Sequence, residues 1–374
     1  MPAKQDVENP SAFKLWINKD VLMKMAGEIR AVYPQFDSKE FLKLTPKLDP
    51  LELKARTHLV RDGLRKLLPD DYLTALKILL ASTKNGKLTG FKLWPYTEFI
   101  QTYGLEHRPE SLEALALLTP LFTAEFAVRP FLKKETDATL AFLKKCARDK
   151  DVHLRRWASE GSRPRLPWGE RLDIFIQHPE KTLEILELLK NDDELYVRKS
   201  VANHLNDISK DHPQLVVKML KRWSKEASPA HADRIRWITK HALRTLIKKG
   251  DAGALEAIGV SAKAQVKVTN LKLAKSKIKM GDHIEMSFDV VSLGKSKQTL
   301  VIDYIIHFVK ANKETAPKVF KLKSVSLGEG QKLSVAKRHP VKPITTRRYY
   351  PGLHAVEIQI NGTVHARANW HLVP

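Results

Sequence analysis

The chain has 374 residues, 43% of them hydrophobic and 29% charged, and it contains a single cysteine, Cys146. This composition excludes a disordered chain and an intramolecular disulfide, and it argues against a cysteine-based zinc site, as expected in a reducing cytoplasm. No apolar run approaches the roughly 18 residues needed to span a bilayer. The N-terminus contains acids and no continuous apolar core, so it does not resemble a secretory signal.

The sequence carries a formal net charge of +23. Such an excess favours a polyanionic partner, first nucleic acid and then an anionic membrane, over a protein that is merely basic. Residues 261–374 contain 20 Lys and Arg against 7 Asp and Glu, and the remainder contains 45 against 35. Two separately basic segments are most simply explained if both contact the same polyanion.

Apolar residues recur at helical spacing from the N-terminus to about Gly250. The clearest segments, in chain order, are 20–32, 50–68, 70–80, 111–118 and 136–148. Three later segments resemble one another: DVHLRRWASE from Asp151, ELYVRKSVAN from Glu194 and ADRIRWITKHA from Ala232. A period of roughly 40 residues predicts HEAT-like helix pairs that stack into a curved solenoid with a concave basic face, within a mainly α fold.

An arginine occupies the corresponding position of each related segment: Arg155, Arg198 and Arg236, with Arg129 as a degenerate earlier member. Arginines repeated once per unit along a concave surface would follow a phosphate backbone. The alternative is that they brace adjacent helices. For Arg198, bracing is at least as well supported as a ligand contact.

After residue 260 the pattern changes to short alternating or β-branched runs bounded by Gly, Asn, Lys and Ser. About seven strands at hairpin spacing predict a small all-β, immunoglobulin-like sandwich. The Asn-Gly pair in QINGTV predicts a two-residue hairpin. The predicted domains are therefore a helical repeat domain over residues 1–255 and an accessory, DNA-binding Ig-like sandwich over residues 261–374.

The segment WASEGSRPRLPWGE, residues 157–170, interrupts the helical pattern with two prolines and two glycines. It and the residue before it gather the side chains of Arg156, Trp157, Glu160, Arg163, Arg165 and Trp168. A carboxylate at a helix C-terminus opposes the helix dipole, so Glu160 needs a positive partner. That partner is either an arginine of the segment, which makes Glu160 a brace, or a cationic ligand. The tryptophans fit either the core or a surface that stacks beside a base.

Two further carboxylates have comparable settings. Glu125 interrupts the apolar segment LFTAEFAVRPF, where an unpaired buried charge is costly unless it pairs with Arg129 at i+4. Asp207 lies near the end of a repeat helix, where the alternative is a solvated position beside Lys210. Acids on a surface that faces DNA repel phosphates, so the three together suggest that they face something positive.

The segments RRWASEGSRPRLPWG and DDELYVRKSVANHLNDISKDHP resemble the AlkC branch of the AlkC/AlkD family of bacterial DNA alkylation-repair glycosylases, and the resemblance covers the whole chain. It implies HEAT-like repeats with an Ig-like C-terminal domain. It also implies hydrolysis of the N-glycosidic bond of cationic methylated bases, 3-methylcytosine and 3-methyladenine, without base flipping. On the family pattern, Glu125, Glu160 and Asp207 match the active-site carboxylates.

The implied chemistry agrees with these residue types. An N3-alkylated base already carries positive charge, so it leaves without protonation by an acid. The carboxylates would stabilise an oxocarbenium-like sugar and position or activate a water. No cofactor is expected, because the histidines lack metal-ligand spacing and no phosphate-binding loop motif is present.

The expected partner is double-stranded DNA containing alkylated bases, bound by a monomer in the bacterial cytoplasm, at the nucleoid when active and without membrane contact. The residues expected to contact DNA are Arg156, Trp157, Arg163, Arg165, Trp168, Arg198, Arg236, Trp237, Lys240, Thr346, Arg347 and Arg348. The last three lie in a basic loop that would enter a groove and close a clamp, unless it is simply solvated. The main alternative to an enzyme is a non-catalytic HEAT-repeat scaffold that binds DNA or RNA. The charge disfavours a protein-interaction adaptor.

Overall fold

The computed structural model describes residues 13–344 and 347–373, which form a helical part followed by a β-sandwich. The mainly α fold with a C-terminal all-β region is therefore confirmed. The chain divides into two compact units, one ending at Asp207 and one beginning at Ile208. The change from helix to strand falls later, between Ala257 and Val266, so the second unit contains the last helices as well as the strands.

Helices form most of the described chain as far as Ala257. The α-helices are α1 Lys19–Val32, α2 Ser38–Leu42, α3 Thr45–Leu48, α4 Leu53–Leu67, α5 Tyr72–Ser82, α6 Trp94–Tyr103, α7 Arg108–Leu118, α8 Arg129–Lys134, α9 Thr136–Cys146, α10 Val152–Gly161, α11 Asp173–Gln177, α12 Glu180–Leu189, α13 Leu195–Ile208, α14 Pro213–Glu226, α15 Ala232–Ala242, α16 Arg244–Lys248 and α17 Ala252–Ala257. The 3₁₀-helices are Phe13–Trp16, Gly90–Leu93 and Leu105–His107. The five segments predicted from periodicity overlap α1, α4, α5, α7 and α9. None of the described helices has the length and apolarity of a membrane span.

The three related segments form α10, α13 and α15. Arg155 donates to the backbone carbonyls five and six residues before it, at 2.8 and 3.1 Å. Arg198 donates to the carbonyls at the same two offsets, both at 2.7 Å. These two arginines therefore tie the start of their own helices to the preceding turn. Arg236 is exposed and instead pairs with Asp233 one turn before it.

The strands form two sheets, of which one has the order β1-β3-β6 and the other β2-β8-β7-β4-β5. The strands are β1 Val266–Leu273, β2 Lys277–Lys279, β3 His283–Ser292, β4 Gln298–Val309, β5 Thr315–Leu327, β6 Lys332–Pro340, β7 Gly352–Ile360 and β8 Thr363–Val373. Alternate side chains from both sheets, including Phe288 of β3 and Tyr304 of β4, pack into one core. The predicted hairpin is confirmed, since Asn361 and Gly362 join β7 to β8 with φ of 47° and 83°, as the tight hairpin turn requires.

The last helices of the second unit pack against this hairpin. Gly250 and Gly362 approach so closely that a Cβ on Gly250 would lie 2.6 Å from the Cα of Gly362. The side chain of Gln359 donates to the carbonyl of Lys248 at 3.0 Å. Because Gly250 also has φ of +75°, glycine is required here by both backbone conformation and space.

Candidate active site

Helix α10 provides the first part of the site. Asp151 caps its N-terminus by accepting a hydrogen bond from the backbone N–H of His153 at 2.7 Å. Arg156 and Glu160 are four residues apart and therefore share a face. The helix ends at Gly161, so Glu160 lies in its last turn, as expected from the sequence.

Arg129 holds the irregular segment that follows α10. Its side chain is 1% exposed and donates to four backbone carbonyls between Gly161 and Glu170, at 2.7 to 3.5 Å. These bonds satisfy carbonyl groups that the interrupted helix leaves without partners. Burial, together with the charge of Arg163, lowers the pKa of Arg129 to about 10, so it stays charged at neutral pH. The alternative in which Arg129 pairs with Glu125 is therefore wrong.

Three carboxylates and two arginines form one continuous chain of ion pairs, in the order Glu125, Arg156, Glu160, Arg163 and Asp207. Arg156 contacts Oε2 of Glu125 and lies 3.4 Å from Oε1 of Glu160. Arg163 lies 2.6 Å from the same Oε1 and 2.9 Å from Oδ2 of Asp207. The three acids are only 8%, 5% and 3% exposed, in chain order. Within this chain of ion pairs three carboxylates meet two guanidinium groups, and the charged guanidinium of Arg129 also acts electrostatically on Glu125 and Asp207.

The neighbouring carboxylates keep both arginines in their charged form. Burial disfavours the charged form of Arg156, but Glu160 and Glu125 outweigh it and raise the pKa of this side chain. Burial of Arg163 is outweighed in the same way by Glu160 and Asp207, and the pKa of Arg163 is raised. The predicted role of both arginines as phosphate contacts is therefore wrong in this structure, because their guanidinium groups bind carboxylates. The solvated position predicted as an alternative for Asp207 is also wrong.

A cleft of about 510 Å³ opens beside the ion-pair cluster. Glu125, Glu160 and Arg163 line it, whereas Asp207 does not. The aromatic residues that line it are Phe91, Phe122, Phe126, Trp168 and Tyr196. This arrangement places two carboxylates and one guanidinium in a cleft that is otherwise lined mostly by apolar and aromatic side chains.

The two glutamates differ in what they offer to a ligand. In Glu125, Oε2 accepts hydrogen bonds from Thr123 and Arg156, whereas Oε1 makes none within the described part of the chain. Both oxygens of Glu160 are occupied, because Ser200 donates to its Oε2 at 2.6 Å and the arginines bind Oε1. Glu125 therefore presents the open carboxylate oxygen of the cleft.

The two tryptophans of the irregular segment have opposite environments. Trp168 is 55% exposed and has φ of 65°, and its carbonyl accepts a hydrogen bond from Lys54 at 2.6 Å. Its indole lies edge-on to Phe13, with ring centroids 6.0 Å apart. Trp157 is 0% exposed and packs edge-on against Phe142. The prediction that Trp157 contacts DNA is therefore wrong in this structure, because its indole lies inside the core.

The other residues before residue 261 that were predicted to contact DNA differ in their exposure. Arg165 is half-buried in the irregular segment. Arg198 braces α13, which supports the alternative to a DNA contact. On α15, Lys240 is exposed, and Trp237 stacks on His241 with ring centroids 4.0 Å apart.

The basic loop before β7 is partly described. The guanidinium of Arg347 covers the ring of Phe308 at 3.9 Å, which leaves this cation against the sandwich. Arg348 is exposed and lies 5.5 Å from the ring of Tyr350. Thr346 lies outside the described residues.

Several contacts of the site were not predicted from the sequence. The ring of Tyr196 lies 5.2 Å from the guanidinium of Arg156, and Thr123 donates to Glu125 at 2.8 Å. Tyr196 and Ser200 are four residues apart on α13, and Asp207 follows seven residues later, so helical spacing puts all three on one side. That spacing was the signal available in the sequence.

Within the part of the chain that the structure describes, no group of three His, Cys, Asp or Glu side chains is arranged to hold a metal ion.

Comparison with known proteins adds independent evidence. A family model described as "DNA alkylation repair enzyme" matches residues 122–246, which contain the whole ion-pair cluster. A second family model, described as the C-terminal Ig-like domain of the uncharacterised protein YhaZ, matches residues 267–374.

Two proteins match almost the whole chain. The uncharacterized protein YhaZ of Bacillus subtilis (strain 168) is 39% identical over 350 residues, which cover 93% of this chain and 95% of YhaZ. The solved structure of Pseudomonas fluorescens alkylpurine DNA glycosylase AlkC, bound to DNA containing an abasic site analog, is 40% identical. It superposes with a TM-score of 0.91, over 97% of this chain and 100% of that one. The chain therefore belongs to the AlkC branch of the DNA alkylation repair enzymes, and its class is that of a DNA glycosylase.

Proposed function

We propose that the protein excises 3-methylcytosine and 3-methyladenine from double-stranded DNA as a monomer, by hydrolysing the N-glycosidic bond without turning the base out of the helix. The observation that carries this proposal is the ion-pair cluster, in which three carboxylates meet two guanidinium groups, together with Glu125, which lines an aromatic cleft and whose Oε1 makes no hydrogen bond to a described residue. Recognition without base flipping and the choice of lesions rest on the family resemblance.

The charge of the cluster matches the charge of the substrate. An N3-alkylated base is a cation, and its departure leaves positive charge on the deoxyribose. Glu125 and Glu160 would stabilise that charge, and the open oxygen of Glu125 would accept a proton from the attacking water. Asp207 does not line the cleft, so we assign it the role of holding Arg163.

The size of this effect is sufficient for catalysis. Two opposite charges 4 Å apart attract by about 4 kcal/mol at an effective dielectric constant of about 20. If that attraction develops only in the transition state, it accelerates the reaction roughly a thousandfold. An undamaged, neutral base gains much less from the same field, so selectivity for cationic lesions follows from the charge.

The arginines are best understood as positioning residues. Arg156 and Arg163 hold three carboxylates close together that would otherwise repel one another, and they do so in a fixed geometry. Phosphate binding then falls to other cations, of which Arg236, Lys240 and Arg348 are exposed and Arg165 is half-buried. Trp168, exposed at the mouth of the cleft, would stack beside the lesion.

We further propose that residues 1–255 form the glycosylase domain and residues 261–374 an accessory DNA-binding domain. Residues 261–374 carry a large positive excess of 20 Lys and Arg over 7 Asp and Glu. Deletion of residues 261–374 should weaken DNA binding and reduce its dependence on salt, because fewer phosphates are neutralised.

The test compares Glu125→Gln with the matched control Glu110→Gln, which changes an exposed glutamate of the same unit. Single-turnover release of 3-methyladenine and of 3-methylcytosine is measured separately from affinity for duplex DNA. We expect Glu125→Gln to lower excision roughly a thousandfold with little change in affinity, and the control to match the wild type. Excision by Glu125→Gln near the wild-type rate would overturn the proposal, and so would equally rapid release of unmodified cytosine.

A further inference from the structure

The second compact unit contains a cavity of about 540 Å³ that takes no part in the proposed glycosylase chemistry. Helices α15 to α17 form one side of it, and strands β4 and β5 form the other. Its apolar lining includes Ile235, Ile247, Ile258, Val260 and Val301. Its cationic lining consists of Arg236, Lys240, Arg244, Lys248 and Lys321. We call it the second-unit cavity.

The strand side of this cavity is the outer face of the sandwich. Thr299, Val301 and Asp303 alternate along β4 and line the cavity, while Tyr304 on the opposite face belongs to the sandwich core. Val301 and Asp303 are nonetheless buried, because the last helices cover this face. A concave, largely apolar space of this volume lies within the range typical of small-molecule sites.

Asp303 has an unusual environment for a buried acid. The register of β4 against β5 shifts between Ile302, opposite Lys323, and Asp303, opposite Lys321. Leu322 is therefore a bulged residue, and its backbone N–H lies near enough to the Asp303 carboxylate to favour the charged form. One carboxylate oxygen, Oδ1, makes no hydrogen bond to any described residue, although the side chain is only 3% exposed.

Thr239 presents a second buried polar atom from the helical side. It lies on α15, lines the same cavity and is 2% exposed. Its Oγ1 also makes no hydrogen bond within the described residues. Buried polar atoms are normally paired, so two such atoms on opposite sides of one cavity point to a ligand with polar groups of its own.

The lining defines the chemistry of that ligand. Five cations and a single carboxylate favour an anion, and the apolar lining favours a body with an apolar face. The free oxygen of Asp303 accepts hydrogen bonds, so the ligand must also carry a donor. A simple aliphatic acid satisfies the first two conditions but leaves the buried oxygens of Asp303 and Thr239 unpaired.

We propose that the second-unit cavity binds a nucleotide whose base presents an amino group. The phosphate lies at the lysines and arginines, the base lies against the apolar lining, and the amino group donates to the carboxylate of Asp303. Carboxylates accept from the amino group of cytosine in the same way when proteins read DNA.

The experiment uses two nucleotides that match in shape. Deoxycytidine monophosphate presents a 4-amino group, whereas deoxyuridine monophosphate presents an oxygen that the carboxylate would repel. Titration calorimetry with the full chain should show at least about tenfold tighter binding of the cytidine nucleotide. Asp303→Asn should reduce this preference to about twofold or less, because an amide can turn either its N–H or its oxygen to the base. The matched control Glu329→Gln, an exposed acid of the same unit, should keep the preference.

Two further experiments test where the phosphate binds and whether the nucleotide is free or part of a DNA strand. Lys248→Gln combined with Lys321→Gln should weaken both nucleotides by at least about tenfold, and deoxycytidine without phosphate should bind as weakly. Displacement by a single-stranded oligodeoxycytidylate would identify a strand as the source, and failure to displace would identify the free nucleotide.

Three results would overturn the proposal: equal affinity for the two nucleotides, no binding at millimolar concentration, or tighter binding of dodecanoate than of either nucleotide. Glu125→Gln should bind the cytidine nucleotide like the wild type. Failure of this proposal therefore leaves the glycosylase proposal untouched.

Discussion

The two compact units bury aspartates of equal exposure in different ways. Asp207 and Asp303 are both 3% exposed. Asp207 binds Arg163, which also binds Glu160, so its charge is matched inside the protein. Asp303 lies near Lys248 and Lys321 but forms no ion pair with any described residue, and its Oδ1 makes no hydrogen bond to one. A buried charge that is matched stabilises a site, whereas one that is not matched costs free energy until a ligand arrives.

The charge balance of the two sites is also opposite. The ion-pair cluster has one carboxylate more than it has guanidinium groups, so it favours a cation. The second-unit cavity is lined by five cations and one carboxylate, so it favours an anion. The net charge of +23 therefore indicates what kind of partner the whole chain binds, but it does not indicate the charge of the ligand at either site.

The largest effect is expected when the matched charges are separated. Arg163→Leu leaves Glu160 and Asp207 buried with one guanidinium fewer, and we expect it to lower the free energy of unfolding by about 3–5 kcal/mol. Urea denaturation followed by tryptophan fluorescence measures this loss. Arg171→Leu, an exposed arginine of the same segment, should cost about 0.5 kcal/mol or less. A loss below about 1 kcal/mol in Arg163→Leu would show that the cluster is not held by matched charge.

The next effect concerns pH. His204 is completely buried and its ring nitrogen Nδ1 lies 3.0 Å from the carbonyl of Ser159, beside Glu160. Burial, with the charge of Arg163, lowers the pKa of His204 to about 3. Because this pKa lies below its ordinary value, only the unfolded chain takes up the proton between pH 6.5 and 5. Stability should therefore fall by roughly 2 kcal/mol over that interval.

The measurement for His204 is urea denaturation at pH 6.5 and at pH 5, for the wild type and for His204→Gln. The variant cannot titrate at this position, so its stability should change by roughly 2 kcal/mol less between the two pH values. An equal change in both proteins would mean that His204 titrates normally in the folded state.

A smaller difference in the free energy of unfolding is expected between variants of Arg198 and Arg236, two of the arginines that recur in the related segments. Arg198, in α13, donates to two backbone carbonyls, whereas Arg236, in α15, is exposed. Arg198→Ala should lower the free energy of unfolding by about 1.5 kcal/mol, and Arg236→Ala by less than about 0.5 kcal/mol. The reverse order in urea denaturation would show that sequence position, rather than the observed contacts, determines their role. We expect only Arg236→Ala to weaken binding to duplex DNA.

The smallest expected effect is a gain in stability rather than a loss. Burial raises the pKa of Asp303, against the charges of Lys248 and Lys321, so ionised Asp303 destabilises the folded chain at neutral pH. Asp303→Asn should therefore stabilise the protein by about 1 kcal/mol at pH 7, and the gain should vanish below the ordinary aspartate pKa near 4. A loss of stability in the variant at pH 7 would contradict the claim that Asp303, unlike Asp207, is a buried charge without a matching partner.

Patterns that depend on neighbours along the chain were predicted well. Helical periodicity located α1, α4, α5, α7 and α9, and the change to alternating residues located the sandwich. The Asn-Gly hairpin was predicted because only a few residue types adopt positive φ readily. About seven strands were predicted against the eight observed, since β2 has only three residues and pairs in parallel with β8, which leaves little local signal.

The candidate site was predicted in its residue types and in the pairing of Glu160 with an arginine of the irregular segment, but not in its other contacts. The structure brings Glu125, Glu160 and Asp207 into one cluster, although their catalytic roles remain a prediction. It contradicts the phosphate contacts assigned to Arg156 and Arg163. An arginine can bind a phosphate or a carboxylate with the same geometry, so the residue type alone does not distinguish the two.

The sequence by itself determined the order of helices and strands, the excess of positive charge and the identity of the acids, because each is a local or additive property of the chain. Only the tertiary structure decided which charges meet. Arg129 binds the carbonyls that follow α10 rather than Glu125, Trp157 is buried while Trp168 is exposed, and Asp303 faces a cavity. Arg129 lies 32 residues before Gly161, whose carbonyl it binds, and Glu125 lies 31 residues before Arg156, so these contacts depend on how whole helices pack.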